Sequence, residues 1–272
     1  MQYEPIKRSL GRFISGSPFL RKTFYFFLDL ILLRTWHVKK ALRKISSDLP
    51  GQANILDAGS GLGQYTWRMC RMNKSWNVSG VDIDSEQTED CMKFFKKAGF
   101  EERTSFRTAD LAEFKEPGSF DLILSVDVME HIKDDEKVFL NFFISLRQNG
   151  FLLVSTPSDQ GGSDAHDAED KSFIDEHVRN GYSIPEITDK LNRAGFRIIE
   201  THYTYGKPGN ISWCLTMKYP VKLLNISYIF FIILPFYYLV FLPVSFILNI
   251  FDLRMKHKSG TGILVTARKQ EK

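Results

Sequence analysis

The chain is poor in cysteine, and the three it has, Cys70, Cys91 and Cys214, form an odd number with neither CxxC nor metal-site spacing. A disulfide framework and a structural zinc site are therefore not expected, and a reducing compartment is the default. Internal repeats and low-complexity segments are absent as well. With 43% apolar and 25% charged residues over 272 positions, the composition excludes a disordered, collagen-like or coiled-coil chain and fits one large domain or two small ones. The apolar stretch from Thr23 to Leu33 lacks a small-residue cleavage site and contains Asp29, which makes it a poor signal peptide. An amphipathic helix lying at an interface, leading into HVKKALRKI, is the better expectation.

Positive charge is scarce in the middle of the chain and concentrated at its ends. Residues 1–44 carry ten Lys/Arg against two acids, and residues 252–272 carry six against two, leaving 20 basic and 28 acidic residues between them. Basic ends around an acidic body argue against nucleic acid as a partner and suit patches that meet an anionic membrane. Beside the second basic end lie 29 residues without a charge, Leu223 to Phe251. That length permits a crossing, but Pro235 and Pro243 divide the run. A monotopic or re-entrant hairpin bent near these prolines is expected, with a single span and a soluble cap or dimer interface as alternatives.

Short aliphatic runs at 53–58, 76–82, 104–109, 120–126 and 150–156 read as strands, and two more follow at 196–205 and 262–269. Helices fit between them: one capped by Ser85 and stopped at Gly99, one from Asp134/Asp135 to Asn149-Gly150, and one opened by the box Ser183–Glu186 and stopped at Gly195. Regular alternation predicts a doubly wound, mostly parallel α/β sheet. If the last two strands share that sheet, the apolar segment between them leaves and returns on one side. Three parts are expected: a basic, apolar helical region at 1–44, a core domain at 45–205 with 259–272, and a hydrophobic insert at 206–258.

The first strand runs into Asp57-Ala-Gly59-Ser60-Gly61-Leu-Gly63 just before a helix, where glycines let a ligand approach the backbone and a helix N-terminus offers free N–H groups. A dinucleotide-binding GxGxxG would need glycine where Gln64 stands, so the nicotinamide reading is disfavoured. Asp82 follows the second strand and Asp110 the third; such carboxylates can accept hydrogen bonds from a ribose diol and an exocyclic amine. The fourth strand continues as FDLILSVDVMEHI.

With these four motifs in order, the sequence resembles the class I S-adenosylmethionine-dependent methyltransferases, particularly the branch of quinone-biosynthesis methyltransferases. The resemblance covers residues 45–205 and 262–270. It implies a Rossmann-like fold of seven strands with the last one antiparallel, and S-adenosylmethionine as cofactor. It also implies that Asp57, Gly59, Ser60, Gly61 and Gly63 hold the methionine portion, Asp82 and Ile83 the ribose, Asp110 and Leu111 the adenine, and that Ser125, Val126 and Asp127 form the strand-four edge of the cofactor site. His131 is the first candidate for a catalytic base, with a structural or cofactor-side role as its alternative, and His177 in the long 157–182 loop is the second. That loop is expected to lid the site; no metal is expected there. The resulting expectation is methyl transfer to a hydrophobic, lipid-like or aromatic hydroxyl acceptor at the cytoplasmic face of a membrane. A C-methyltransferase of a quinone precursor and a non-catalytic membrane adaptor are the alternatives.

Overall fold

In the computed structural model, which describes residues 17–161, 178–227 and 229–270, the centre of the molecule is a strand so apolar that both of its faces must be covered. This strand, β1 (Asn54–Ala58), buries Ile55 on one side and Leu56 on the other. Two hydrophobic clusters result, one on each face of the sheet, as a parallel sheet wrapped by helices requires.

Along the chain the elements are α1 (Pro18–Ile31), α2 (Leu33–Ser46), β1, α3 (Gln64–Met72), β2 (Asn77–Asp82), α4 (Ser85–Lys97), β3 (Thr104–Thr108), β4 (Phe120–Val126), α5 (Asp135–Ser145) and β5 (Leu146–Pro157). They continue as α6 (Ile184–Arg193), β6 (Phe196–Thr204), α7 (Lys207–Trp213), a π-helical turn (Cys214–Lys218), α8 (Tyr219–Ile226), α9 (Phe230–Arg254) and β7 (Gly262–Lys269). The sheet order is β3-β2-β1-β4-β5-β7-β6, and β7 runs antiparallel to both of its neighbours. The seven-stranded, mostly parallel, doubly wound sheet expected from the sequence is thus present.

Some boundaries differ from the sequence reading. The cap of α4 is Asp84, whose carboxylate accepts from the N–H groups of Glu86 at 2.9 Å and Gln87 at 3.2 Å; Ser85 is the first helical residue. Asn149-Gly150 does not stop a helix. Helix α5 ends at Ser145, and Asn149, with φ 62°, lies inside β5, where the pairing with β4 shifts register. A left-handed Asn serves a strand bulge as well as a helix end.

The apolar insert is a helical hairpin. Its first arm is α7, the π turn and α8; its second is α9; and the bend falls between Ile226 and Phe230, not at the prolines. Pro235 and Pro243 lie inside α9 on exposed positions, where each removes one rung hydrogen bond without meeting a neighbouring helix. Tyr237 and Tyr238 tie the arms by donating to the Leu215 and Thr216 carbonyls at 2.8 and 2.9 Å. At the root the Asp252 carboxylate is fully buried, 2.9 Å from His37 Nε2, 3.1 Å from His257 Nε2, and accepting from the Gly209 N–H at 3.0 Å. Because Thr204 pairs with Gly262, both ends of the hairpin sit on the same edge of the sheet.

Helices α1 and α2 cover the domain with their inner faces. Arg21, almost wholly buried, donates to the Leu62 carbonyl at 2.6 Å and to the Tyr25 hydroxyl at 2.7 Å, and pairs with Asp90. The outer face of α1 leaves Phe19, Phe26 and Phe27 exposed, the amphipathic pattern that the sequence suggests.

Candidate active site

The C-terminal ends of β1, β2 and β4 converge on the turn that follows β1, the place where open parallel sheets hold ligands. The turn is pinned by backbone bonds from Gly59 and Ser60 to the Val81 carbonyl at 2.8 and 3.0 Å. Gly59 has φ 78°, and a Cβ there would collide with the Val128 side chain. Gly61, with φ 49°, faces open space: among the described residues an added Cβ meets Gln87 Oε1 at 3.5 Å and nothing nearer. Gly63, also left-handed, opens α3.

Asp82 accepts from the Gly61 N–H at 2.7 Å through one oxygen and from the Asp84 N–H at 3.0 Å through the other. Asp57 lies beneath the turn, where its carboxylate accepts from Thr66 Oγ1 at 2.6 Å. Burial pushes its pKa up to about 6 against the Thr66 hydrogen bonds. Ile83 is 73% exposed beside Asp82. Asp110 is exposed and accepts from the Ala112 N–H at 2.8 Å, while Leu111 is buried. Val126 and Asp127 are half-buried at the end of β4, and Asp127 has φ 53°.

Two hydroxyls at this edge have no partner among the described residues although both are buried: Ser60 Oγ and Ser125 Oγ. Buried hydroxyls are nearly always satisfied. Together with the space a Cβ at Gly61 would fill, they describe a cradle that a polar ligand completes, and they fit the amino-acid end of S-adenosylmethionine.

His131 closes a short turn, Met129–His131, and is exposed, its side chain at 38%. Glu130 beside it is buried, accepts from Thr156 Oγ1 at 3.1 Å, and has its pKa raised by burial. His177 lies outside the described residues.

A cavity of about 130 Å³ adjoins this edge, bounded by Arg34, Asp127, Thr156, Tyr205, Asn210 and Trp213, among others. Arg34 ion-pairs with Asp127 and its N–H donates to the Tyr205 hydroxyl at 2.9 Å. Tyr205 is left-handed too, with φ 55°; backbone strain of this kind gathers where tertiary structure over-determines a site. Burial holds the Tyr205 phenol up at about 12. His131 is not among the residues that bound the cavity. Arg34, Tyr205, Asn210 and Trp213 escaped the sequence reading because nothing in RTWHVKK or YGKPGNISW announces that three distant segments meet here.

A family model described as a methyltransferase domain matches residues 51–195. Among curated proteins, the chain is 26% identical over 163 residues to phosphoethanolamine N-methyltransferase 2 of Caenorhabditis elegans, covering 60% of this chain and 36% of that protein. It is 31% identical over 117 residues to the ubiquinone biosynthesis O-methyltransferase of Pelagibacter ubique, covering 41% of this chain and 45% of that protein. The chain thus spans less than half the length of either relative. Among solved structures, phosphoethanolamine N-methyltransferase 2 of Haemonchus contortus, in complex with S-adenosyl-L-methionine, superposes with a TM-score of 0.62 at 19% identity, covering 87% of this chain and 53% of that one. The cyclase SpnF gives 0.59 at 15% identity, covering 86% and 81%. These two likenesses bear on the fold alone.

Proposed function

The chain belongs to the methyltransferase-domain family, and from that premise we propose that it uses S-adenosylmethionine to methylate a hydroxyl of a hydrophobic, lipid-like or aromatic acceptor at the cytoplasmic face of a membrane. The observation that carries this reading is the shared wall of the cavity. Asp127 and Thr156 come from the strand edge, whereas Asn210 and Trp213 come from the root of the hairpin. The same hairpin has a mean hydropathy of 2.3 along α9 with 6% of that window buried. An acceptor that partitions into lipid would meet the cavity where the apolar surface begins.

In this reading the cofactor supplies a methyl group on a sulfonium, already a good leaving group. The protein's part is binding, orientation and the handling of one proton. Gly59, Gly61 and Gly63 keep the turn open, Ser60 and Ser125 offer hydroxyls to the cofactor's polar end, and Asp57 with Thr66 steadies the turn from below. Asp82, already fixed by two N–H groups, presents its remaining lone pairs to a ribose. Ile83 and Leu111 would flank an adenine and Asp110 would accept from its amine, and Val126 and Asp127 complete the strand-four edge. His131, next to the Glu130 that bonds the cavity-lining Thr156, is the proposed acceptor of the hydroxyl proton although it does not itself bound the cavity, and His177 is a second candidate for that role. The ubiquinone biosynthesis O-methyltransferase among the relatives supports an oxygen acceptor over a carbon one.

The test is incubation of membranes from cells expressing the protein with methyl-labelled S-adenosylmethionine, followed by lipid extraction and mass spectrometry of the labelled species. The wild type should label a lipid that the Gly61→Arg variant does not. Exchange of residues 217–244 for a Gly/Ser linker, which spares the Asp252 root, should lose that label while cofactor binding persists. Equal labelling by wild type and Gly61→Arg would mean that the protein is not the enzyme responsible, and favour the adaptor.

A further inference from the structure

The exposed residues of the hairpin are arranged by side. On α9 the buried positions Ser245, Asn249 and Asp252 share one face. The exposed Ile232, Phe236, Leu239 with Val240, Val244, Ile247 and Phe251 recur at helical spacing on another, while Phe231 at the tip is exposed in line with the first. This stripe runs from tip to root, about 28 Å at the rise of a helix. On the first arm, Gly209, Ser212 and Thr216 face α9, as their bonds to Asp252, Ser245 and Tyr238 record. Lys218 and Lys222 follow Thr216 and the buried Pro220 by two residues, roughly half a turn, which turns them away from α9.

Two upright placements fail on this arrangement. Lys222 stands four residues before the arm ends at Ile226, about 6 Å along the axis, so deep insertion would carry a lysine nearly as far into hydrocarbon as the tip. That is strongly disfavoured. Shallow insertion would leave Val244, Ile247 and Phe251 in water. A hairpin lying flat avoids both, because the α9 stripe can face acyl chains while the lysines reach headgroups.

Resting on the membrane reading above, we propose that the hairpin lies in the plane of a single anionic leaflet, with the α9 stripe toward the lipid tails. Lys218 and Lys222 sit at the headgroups, and Arg254, Lys256 and Lys258 at the root add to the attraction. In this posture Ile211, exposed on α7 and two residues past Gly209, shares the headgroup side of the lysines, while Asn210 and Trp213 of the same helix bound the cavity. The partner surface is therefore the leaflet that holds the acceptor, and an amphiphile's polar head enters the cavity sideways at headgroup level.

Depth-dependent fluorescence quenching tests the posture. In a Cys214→Ser background, Ile232→Cys, Leu239→Cys and Ile247→Cys are each labelled with an environment-sensitive fluorophore. Each is then bound to mixed phosphatidylcholine and phosphatidylglycerol vesicles carrying lipids spin-labelled at different acyl depths. Retained S-adenosylmethionine binding confirms folding of each variant. The three probes should report one common depth, about 5–10 Å into the headgroup and acyl boundary. Lys218→Glu and Lys222→Glu should each weaken binding to the anionic vesicles about fivefold and leave binding to phosphatidylcholine alone unchanged. A gradient of depth from residue 247 to 232 approaching about 22 Å would overturn the flat posture while keeping the membrane reading. No quenching at any position would overturn the membrane reading itself. Probes shielded from water without vesicles, in a particle of twice the mass, would assign the face to a second copy and overturn the proposal.

Discussion

Gly61 and Gly209 are both glycines beside functional ground, yet they are glycines for opposite reasons. Around Gly61, held at a left-handed φ of 49°, there is room: among the described residues an added Cβ would meet Gln87 at 3.5 Å and nothing nearer. Around Gly209 there is none: an ordinary helical backbone brings a Cβ within 2.6 Å of both Asp252 Oδ2 and Leu33 Cδ2. The glycine turn is built around a space that a ligand fills. The hairpin root is already filled by the protein's own carboxylate. Ligand affinity and the attachment of the hairpin are therefore expected to respond to different substitutions, and that separation can be attacked directly.

The largest effect on stability is expected from Asp252→Ala. It strands the Gly209 N–H and leaves His37 without its carboxylate acceptor, while His257 keeps the residue-252 carbonyl at 3.0 Å, at a cost of about 3–5 kcal/mol measured by thermal or denaturant unfolding. Cofactor affinity should move little in the surviving folded fraction. Gly61→Arg should do the reverse. An arginine placed in the open space should weaken S-adenosylmethionine binding more than a hundredfold by calorimetry, beyond about 3 kcal/mol, while the left-handed backbone at φ 49° costs only about 1–2 kcal/mol of stability. If Asp252→Ala abolished binding in folded protein, or Gly61→Arg unfolded the chain, the two regions would be one cooperative unit.

Asp57 sharpens the comparison, since it is a buried carboxylate like Asp252 but without a histidine partner. Its folded-state pKa lies at about 6, above the ordinary value of 3.8. The native state therefore holds a proton that the unfolded chain releases. Its stabilising contribution is full below about pH 4 and is lost as pH rises through 6, a change of order 3 kcal/mol. Asp57→Asn, which can still accept from Thr66, should flatten stability against pH in that window. A slope unchanged by the substitution would place the proton elsewhere. The smallest effect is expected from Tyr205→Phe, which removes the acceptor of the Arg34 N–H where hairpin root and strand edge meet. About 1 kcal/mol of stability should be lost, with cofactor affinity preserved.

The contrast also explains which parts were legible in advance. The glycine turn could be read because every constraint on it is local: a buried strand, left-handed positions and a helix start follow one another within Ile55–Gln64. The carboxylates Asp82 and Asp110 were legible for the same reason, each standing just past a strand. The hairpin was half legible. Its apolar run and its return to the same side followed from the run itself and from the two strands that flank it. Its bend was placed wrongly because prolines are the strongest local signal for one, and α9 accepts both of them on an exposed face. Asn149-Gly150 misled in the same manner, since the turn chemistry was real but served a bulge.

From the sequence alone came the alternation of strands and helices, the family, the cofactor turn and a membrane-prone insert, all of which depend on residues near one another in the chain. Only the tertiary structure decided that His37 would meet Asp252, that Arg34 would bridge Asp127 and Tyr205, and that Asn210 and Trp213 would close a cavity against β4 and β5. The physical reason is sequence separation. His37 and Asp252 are 215 residues apart, and no periodicity, cap or turn preference records which distant surface a helix will cover. That is set by the sheet order, which brings β7 between β5 and β6 and carries the hairpin root against α2.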